Sequence, residues 1–198
     1  MATLDWPAQR WATPATMRWS VQSQGAAWSA AYTGQAQRIS HLADRWRVTM
    51  TLPVARAEQA GAREAFLSAL ARSGDWVRLW HFARPVPLGT LRGNPTASAA
   101  SRGATSLTVN TTPGATLLAG DMLGVGGQLV QAASNATANG SGVAVVPLVM
   151  PLRLTVTNGT AVVWNQPTGT FQLVGGFVAE YVAPRVQLGP EISLLEVF

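Results

Sequence analysis

The stretch from Trp46 to Phe82 constrains the fold most, because its hydrophobic period changes twice. Trp46, Val48, Met50 and Leu52 alternate with Arg47, Thr49 and Thr51, the period of two of a strand with one buried face. Pro53 has no ladder donor and ends the strand. From about Ala55 to Ser73 the pattern is helical, with Phe66, Leu67 and Leu70 on one side and Arg63 and Glu64 on the other. Gly74 stands where a left-handed residue closes a helix. Trp76, Arg78, Trp80 and Phe82 then alternate with Val77, Leu79 and His81 as a second strand. A helix joining two strands packs on the sheet that holds them, so Trp46, Phe66, Leu70 and Trp80 are expected to form its core.

The chain on either side has to cover that unit. Arg18–Gln22, Ala27–Tyr32 and Gln35–Ser40 are read as short strands. Before them, Trp6, Pro7, Trp11 and Pro14 form an arm without periodicity. Two tryptophans are costly to leave in water, so the arm either folds back on its own core or docks on a neighbouring subunit. After Phe82 the texture changes. Pro85, Pro87, Gly89, Gly93 and Pro95 close the first region, and the chain to Pro167 is poor in charge and rich in Gly, Thr, Val and Asn. Its short strand candidates include Ser106–Asn110, Met122–Val125 with Gln128–Gln131 across Gly126-Gly127, Gly142–Val146, and Leu154–Thr157 with Thr160–Trp164 across Asn158-Gly159, a hairpin signal. Strands this close together predict a small all-β barrel. From Thr170 the first texture returns, and Ile192–Phe198 is read as a closing strand. The expected fold is therefore mainly β with one α-helix. A discontinuous β-barrel or sandwich domain, 1–93 and 168–198, carries an inserted β-barrel at 94–167.

Composition narrows the function classes. Among 198 residues there is no cysteine, so neither disulfides nor thiolate metal sites contribute. All fourteen basic residues are arginine. Twelve of them, against five acids, fall at or before Arg102; beyond it two arginines face four acids. Only 12% of residues are charged, about half the usual share, and a surface so poor in charge suggests that much of it is covered by something else. The start has neither the basic nor the apolar segment of a secretory signal, and no apolar run reaches the length of a membrane span. Asn110, Asn135, Asn139 and Asn158, each in Asn-x-Ser/Thr, are then read as turn residues rather than glycan acceptors.

Catalytic chemistry is hard to find. His41 with Asp44 forms an orienting pair without a nucleophile motif, and His81 sits among aromatics as a structural residue. No hydrolase elbow, zinc-binding pair or phosphate loop occurs, and the last is impossible without lysine. The expectation is a protein without enzymatic activity, cofactor or metal. Arg45, Arg47, Arg38, Trp46 and Trp80 offer the residue types that hold single-stranded nucleic acid; the competing reading is guanidinium stacking on tryptophan and ion pairing between subunits.

The run Arg45-Trp46-Arg47-Val48-Thr49-Met50-Thr51-Leu52-Pro53, the helix with Phe66-Leu67-Ser68-Ala69-Leu70, and Trp76-Val77-Arg78-Leu79 resemble the opening domain of tail-tip proteins of bacteriophages with long non-contractile tails. Ala119-Gly120-Asp121-Met122-Leu123-Gly124-Val125-Gly126-Gly127, Pro147–Arg153 and Gly169-Thr170-Phe171-Gln172-Leu173 extend the resemblance, which is to the distal tail protein family. It implies a ring-forming belt domain with an added barrel, often of oligonucleotide/oligosaccharide-binding (OB) type. It also implies a homo-hexameric ring in the virion, made in the host cytoplasm, that joins the tail-tube protein to hub or fibre proteins and lets DNA pass. On that resemblance Trp6, Trp11, Arg45 and Arg47 are the candidate subunit-interface residues. The alternative is a carbohydrate- or receptor-binding β module, for which the inserted segment offers only Trp164 as an aromatic platform.

Overall fold

The computed structural model describes residues 2–29, 32, 34–40, 43–72, 75–182 and 185–198. Along the first part run β1 (Thr3–Asp5), β2 (Thr16–Gln22), β3 (Gly25–Ser29), β4 (Ala36–Ser40), β5 (Arg45–Thr51), β6 (Ala55–Arg56), α1 (Ala57–Ala71) and β7 (Trp76–Trp80). The middle holds β8 (Thr96–Ala97), β9 (Ser106–Asn110), β10 (Thr116–Leu117), β11 (Met122–Val125), β12 (Gln128–Gln131), β13 (Ala136–Thr137), β14 (Val143–Pro147) and β15 (Thr160–Val163). The chain closes with β16 (Thr168–Val174), β17 (Tyr181–Val182), β18 (Val186–Gln187) and β19 (Glu191–Glu196). The protein is mainly β with one helix, as its alternating patterns predict. The expected helix-closing Gly74 and His41 lie outside the described residues.

The first sheet has the order β1-β7-β16-β19-β5-β2. β1 runs parallel to β7, and the remaining neighbours are antiparallel. Registers Leu194↔Val48, Ile192↔Met50 and Phe171↔Val77 put one residue parity of every strand on the same face, and these six side chains are all buried. The sheet curls strongly. Trp19 on β2 stacks on His81 at 4.8 Å and meets Phe171 edge-on at 5.7 Å, although three strands separate β2 from β7. The curl makes a partial barrel whose interior is the first core.

α1 packs on β16 and on the small sheet β17-β18-β6. Ala60, Leu67 and Leu70 point inward. So does Arg63, which is wholly buried against the expectation that it lies on the polar face. Its Nε donates to Gln187 Oε1 at 2.8 Å, Nη2 to Leu188 O at 2.9 Å, and Nη1 to Pro53 O. Three carbonyl oxygens thus replace the water an arginine head normally keeps.

The four residues expected to share one core all border it, but not as a single cluster. Trp46 meets Trp19 edge-on at 5.8 Å, and Phe66 instead meets Trp6 at 5.6 Å and Trp11 at 6.2 Å. Leu70 is buried. Trp80, half-buried, lies on the strand parity opposite to Val77 and Leu79 and rests on Phe82 at 5.0 Å. The aromatic parity of β7 is thus its outer one, because Val77 and Leu79 fill the narrow interior of the curl.

Residues 96–163 form a second β-barrel with its own core of Leu107, Val109, Leu123, Val130, Val146 and Val162, among others. Its sheet order is β12-β11-β15-β8-β9-β14, and the antiparallel bridge Ala132↔Leu148 joins the two outer strands into a ring. Six strands close this ring, where an OB barrel has five. Asn158-Gly159 does not turn a hairpin. Thr160 pairs with Ala97 and Val156 with Ala100, so both flanks belong to one ladder and the Asn-Gly pair is an irregularity within it.

The seam between the units is tight. Gln166 N donates to Pro85 O at 2.6 Å, so the entering and leaving chains touch. Leu91 already lies in the second core and donates its N–H to Thr116 O. At Gly89 a Cβ would stand 2.2 Å from Thr116 O, which leaves room for glycine alone. On packing, the second unit therefore begins near Pro87 rather than at 94.

Candidate functional site

Among the described residues no group of three or more His, Asp or Glu gathers where a metal would bind, and no helix is long and apolar enough to cross a membrane. His81 is stacked on Trp19, and its Nδ1 is buried without a hydrogen-bond partner. Burial, and then the charge on Arg84, hold its pKa below the ordinary histidine value. The ring is used as packing.

The polar groups that are positioned most firmly lie where the two barrels meet. Leu129, Met122 and Met150 of the second barrel enter the first core. There Arg153 Nη2 donates to Glu196 Oε1 at 2.6 Å and to Leu129 O at 2.7 Å. Trp46 donates its backbone N–H to Glu196 Oε2 at 3.1 Å and its indole N–H to Leu129 O at 3.2 Å. Arg153 and Glu196 are 2% and 1% exposed. Burial raises the Glu196 carboxyl pKa, with the Arg153 guanidinium pulling the other way, and burial lowers that of Arg153. Phe198 receives two guanidinium groups, Arg45 at 5.4 Å and Arg153 at 5.6 Å from its ring centre. A second polar anchor is Asp121, also buried, whose carboxylate accepts the N–H groups of Leu88, Gly89 and Leu118. Both sites are structural: each satisfies backbone across a seam and leaves no acid or base open to a substrate.

The expected interface residues divide. Trp6 and Trp11 are 3% and 8% exposed within this chain, and Trp6 Nε1 donates to Ala12 O at 2.7 Å. The arm thus folds back on its own core, filling the gap over Phe66, and neither tryptophan is available to a neighbour. Arg47 is exposed on the outer face of β5, and Arg45 is partly exposed beside it. Neither has an ion pair among the described residues, whereas Arg78 is paired with Asp5. Trp164 is held by its Nε1 on Gly93 O and by Arg92 stacked 5.1 Å above its ring. That leaves it a poor sugar platform.

Another accessible feature is the β3–β4 hairpin, which among the described residues pairs with no other strand and carries Trp28 at 52% exposure and Tyr32 fully exposed. Neither Asp121 nor Arg153 stood out in the sequence as a functional residue. The signal was present: they are the only two charged residues between Arg102 and Glu180, and a lone charge in an uncharged stretch is usually paired when buried.

No protein-family model matches the chain, and no curated protein matches it.

Proposed function

We propose that this protein is a structural subunit of a bacteriophage tail tip, assembling as a six-membered ring between the tail tube and the hub or fibres. It is made in the host cytoplasm, and DNA passes through it without specific binding. The observation that carries the reading is the combination of a curled belt sheet, an inserted barrel locked to it by Arg153 and Glu196, and a hairpin with exposed aromatics that the monomer leaves uncovered. A rigid two-barrel body with an unsatisfied projecting element suits assembly better than turnover of a small substrate.

Part of the arginine set is already engaged within the chain, as a passage that does not hold DNA requires. Free guanidinium groups on the wall would bind phosphates and release counterions. Here Arg63 and Arg153 are buried, Arg78 is paired with Asp5, and Arg84 and Arg92 donate to backbone carbonyls. Arg10, Arg18, Arg47, Arg56, Arg72, Arg102 and Arg185 are exposed without an ion pair among the described residues, and the reading requires them to face away from the passage. Arg47, with Arg45 packed on Phe198 beside it, is the candidate for a pair with an acid of the next subunit, where bidentate geometry favours arginine. Negative-stain imaging and sedimentation of the purified protein test the reading. A six-fold ring is expected, and Arg45→Ala with Arg47→Ala should weaken it while the monomer stays folded. A protein that remains monomeric at high concentration overturns the reading.

A further inference from the structure

The chain holds two Asn-Gly pairs, at 139–140 and 158–159, and the fold treats them oppositely. An asparagine followed by glycine can close on itself. The glycine backbone N, once deprotonated, attacks the side-chain Cγ, and no Cβ stands in its way. The sequence ranks the two pairs alike; what separates them is how each glycine N–H and each side-chain oxygen is held.

Gly159 donates its N–H to Ala97 O at 2.9 Å, within the ladder of the second barrel. A nitrogen whose proton is held by a carbonyl is a poor nucleophile, and turning its peptide toward the side chain breaks that bond. Asn139 stands instead in the exposed turn between β13 and β14. Its N–H donates to Val143 O at 3.0 Å, and its carbonyl accepts the Gly142 N–H at 2.9 Å. Its side-chain Oδ1 accepts the N–H groups of Ser141 at 2.9 Å and Val143 at 3.0 Å. Of the N–H groups from Asn139 to Val143, that of Gly140 alone has no acceptor among the described residues. A Cβ at Gly140 would meet nothing within 4 Å, so the approach is open. The bond from Ser141, two residues on, curls the side chain back over the Gly140 peptide. The two N–H groups on Oδ1 are placed to stabilise the negative charge that this oxygen takes up as Cγ is attacked.

We infer that Asn139-Gly140 is a site of self-modification, converting to aspartate and isoaspartate while Asn158-Gly159 is protected by its ladder. The Gly140 N bonds to Cγ, the Cγ–Nδ2 bond breaks, and Nδ2 leaves as ammonia with the proton that Gly140 gave up. Water then opens the cyclic imide at either carbonyl, giving aspartate or, with the chain rerouted through Cγ, isoaspartate. Nothing but water is consumed. Between Arg102 and Glu180 the only charged residues, Asp121 and Arg153, are buried, so the product is the first exposed charge of that stretch. The rerouted form also adds a methylene to the main chain of a turn that the Thr111 N–H ties to the neighbouring loop through Gly142 O.

Because every basic residue is arginine, trypsin separates the two pairs: Asn139 falls in the fragment 103–153 and Asn158 in 154–185. The whole protein is aged at mildly alkaline pH, native and in urea, then digested and read by mass spectrometry with fragment sequencing. In the native protein Asn139 should convert about tenfold faster than Asn158 or more, the factor that a barrier change of about 1.4 kcal/mol, one backbone hydrogen bond, puts on a rate. In urea the two should convert at comparable rates. Gly140→Ala, whose Cβ enters open space, should slow conversion at Asn139 and leave the circular dichroism spectrum unchanged. A native ratio clearly below tenfold, or one that persists in urea, overturns the inference; so does a Gly140→Ala chain that ages as fast as the wild type.

Discussion

Replacing Arg153 with methionine should turn the junction of the barrels into a pH-dependent weak point. The guanidinium lies 2.6 Å from Glu196 Oε1, and both side chains are almost inaccessible. Methionine fills most of the arginine stem but leaves the Glu196 carboxylate with only the backbone N–H groups of Trp46 and Leu129 to offset its charge. Removing one partner of a buried pair costs about 3–5 kcal/mol, several times the worth of an exposed pair. Burial already raises the Glu196 pKa against the pull of Arg153, so losing Arg153 raises it further. An acid whose pKa is higher folded than unfolded contributes stability that is whole below its unfolded pKa and is lost as pH climbs through the folded one. The variant should therefore be penalised most near neutrality and recover as pH falls toward the ordinary glutamate value of 4.5. The wild type should show the same sign with a shallower slope. Urea unfolding followed by circular dichroism at several pH values reads both effects. Arg153→Met combined with Glu196→Leu should lose the extra pH dependence. It should regain all but about 1–3 kcal/mol for each backbone N–H left without the carboxylate, those of Trp46 and Leu129. A single-variant penalty below about 1 kcal/mol, or one identical in acid and at neutrality, would refute the reasoning.

Two further substitutions probe the seams. Trp6→Ala removes a buried indole that bonds Ala12 O and packs on Phe66 and Phe82; it should cost about 3–5 kcal/mol in urea unfolding, and a loss below about 1 kcal/mol would mean that the arm does not belong to this core. Asp121→Ala leaves the N–H groups of Leu88, Gly89 and Leu118 without their acceptor, so a thermal melt should show a loss of at least about 3 kcal/mol, partly restored by Asn; unchanged melting would show that water replaces the carboxylate.

Periodicity made the strand–helix–strand unit and most strands legible, because each buries one face and alternates accordingly. What the pattern misplaced were residues whose partners are distant in sequence. Arg63 sits on a helix position that is polar by residue type, and its burial depends on Gln187 and Leu188, more than a hundred residues away. Trp80 was expected in the core with Trp46, but the tight curl admits Val77 and Leu79 and leaves Trp80 half-buried on the other parity, packed against the edge of that core. Asn158-Gly159 carries the chemistry of a hairpin, yet the competing ladder with residues 96–100 took both of its flanks. The seam near Pro87 was invisible for the same reason: Leu91 joins a core whose other members lie beyond residue 96.

The position of β16 and β19 between β7 and β5 sets an order on synthesis. Every strand ladder of the second barrel pairs residues between 96 and 163, so that barrel has all its strand partners while the ribosome is still making the rest. The first sheet does not: β5 and β7 emerge early but have no central neighbours until β16 and β19 follow. In that interval each presents an apolar strand with an open edge, the state most exposed to mispairing. Completion then comes in one late step, as the last strands slot between two waiting ones beside a finished barrel. Glu196 arrives with them, so the ion pair with Arg153 forms as the nascent chain locks shut.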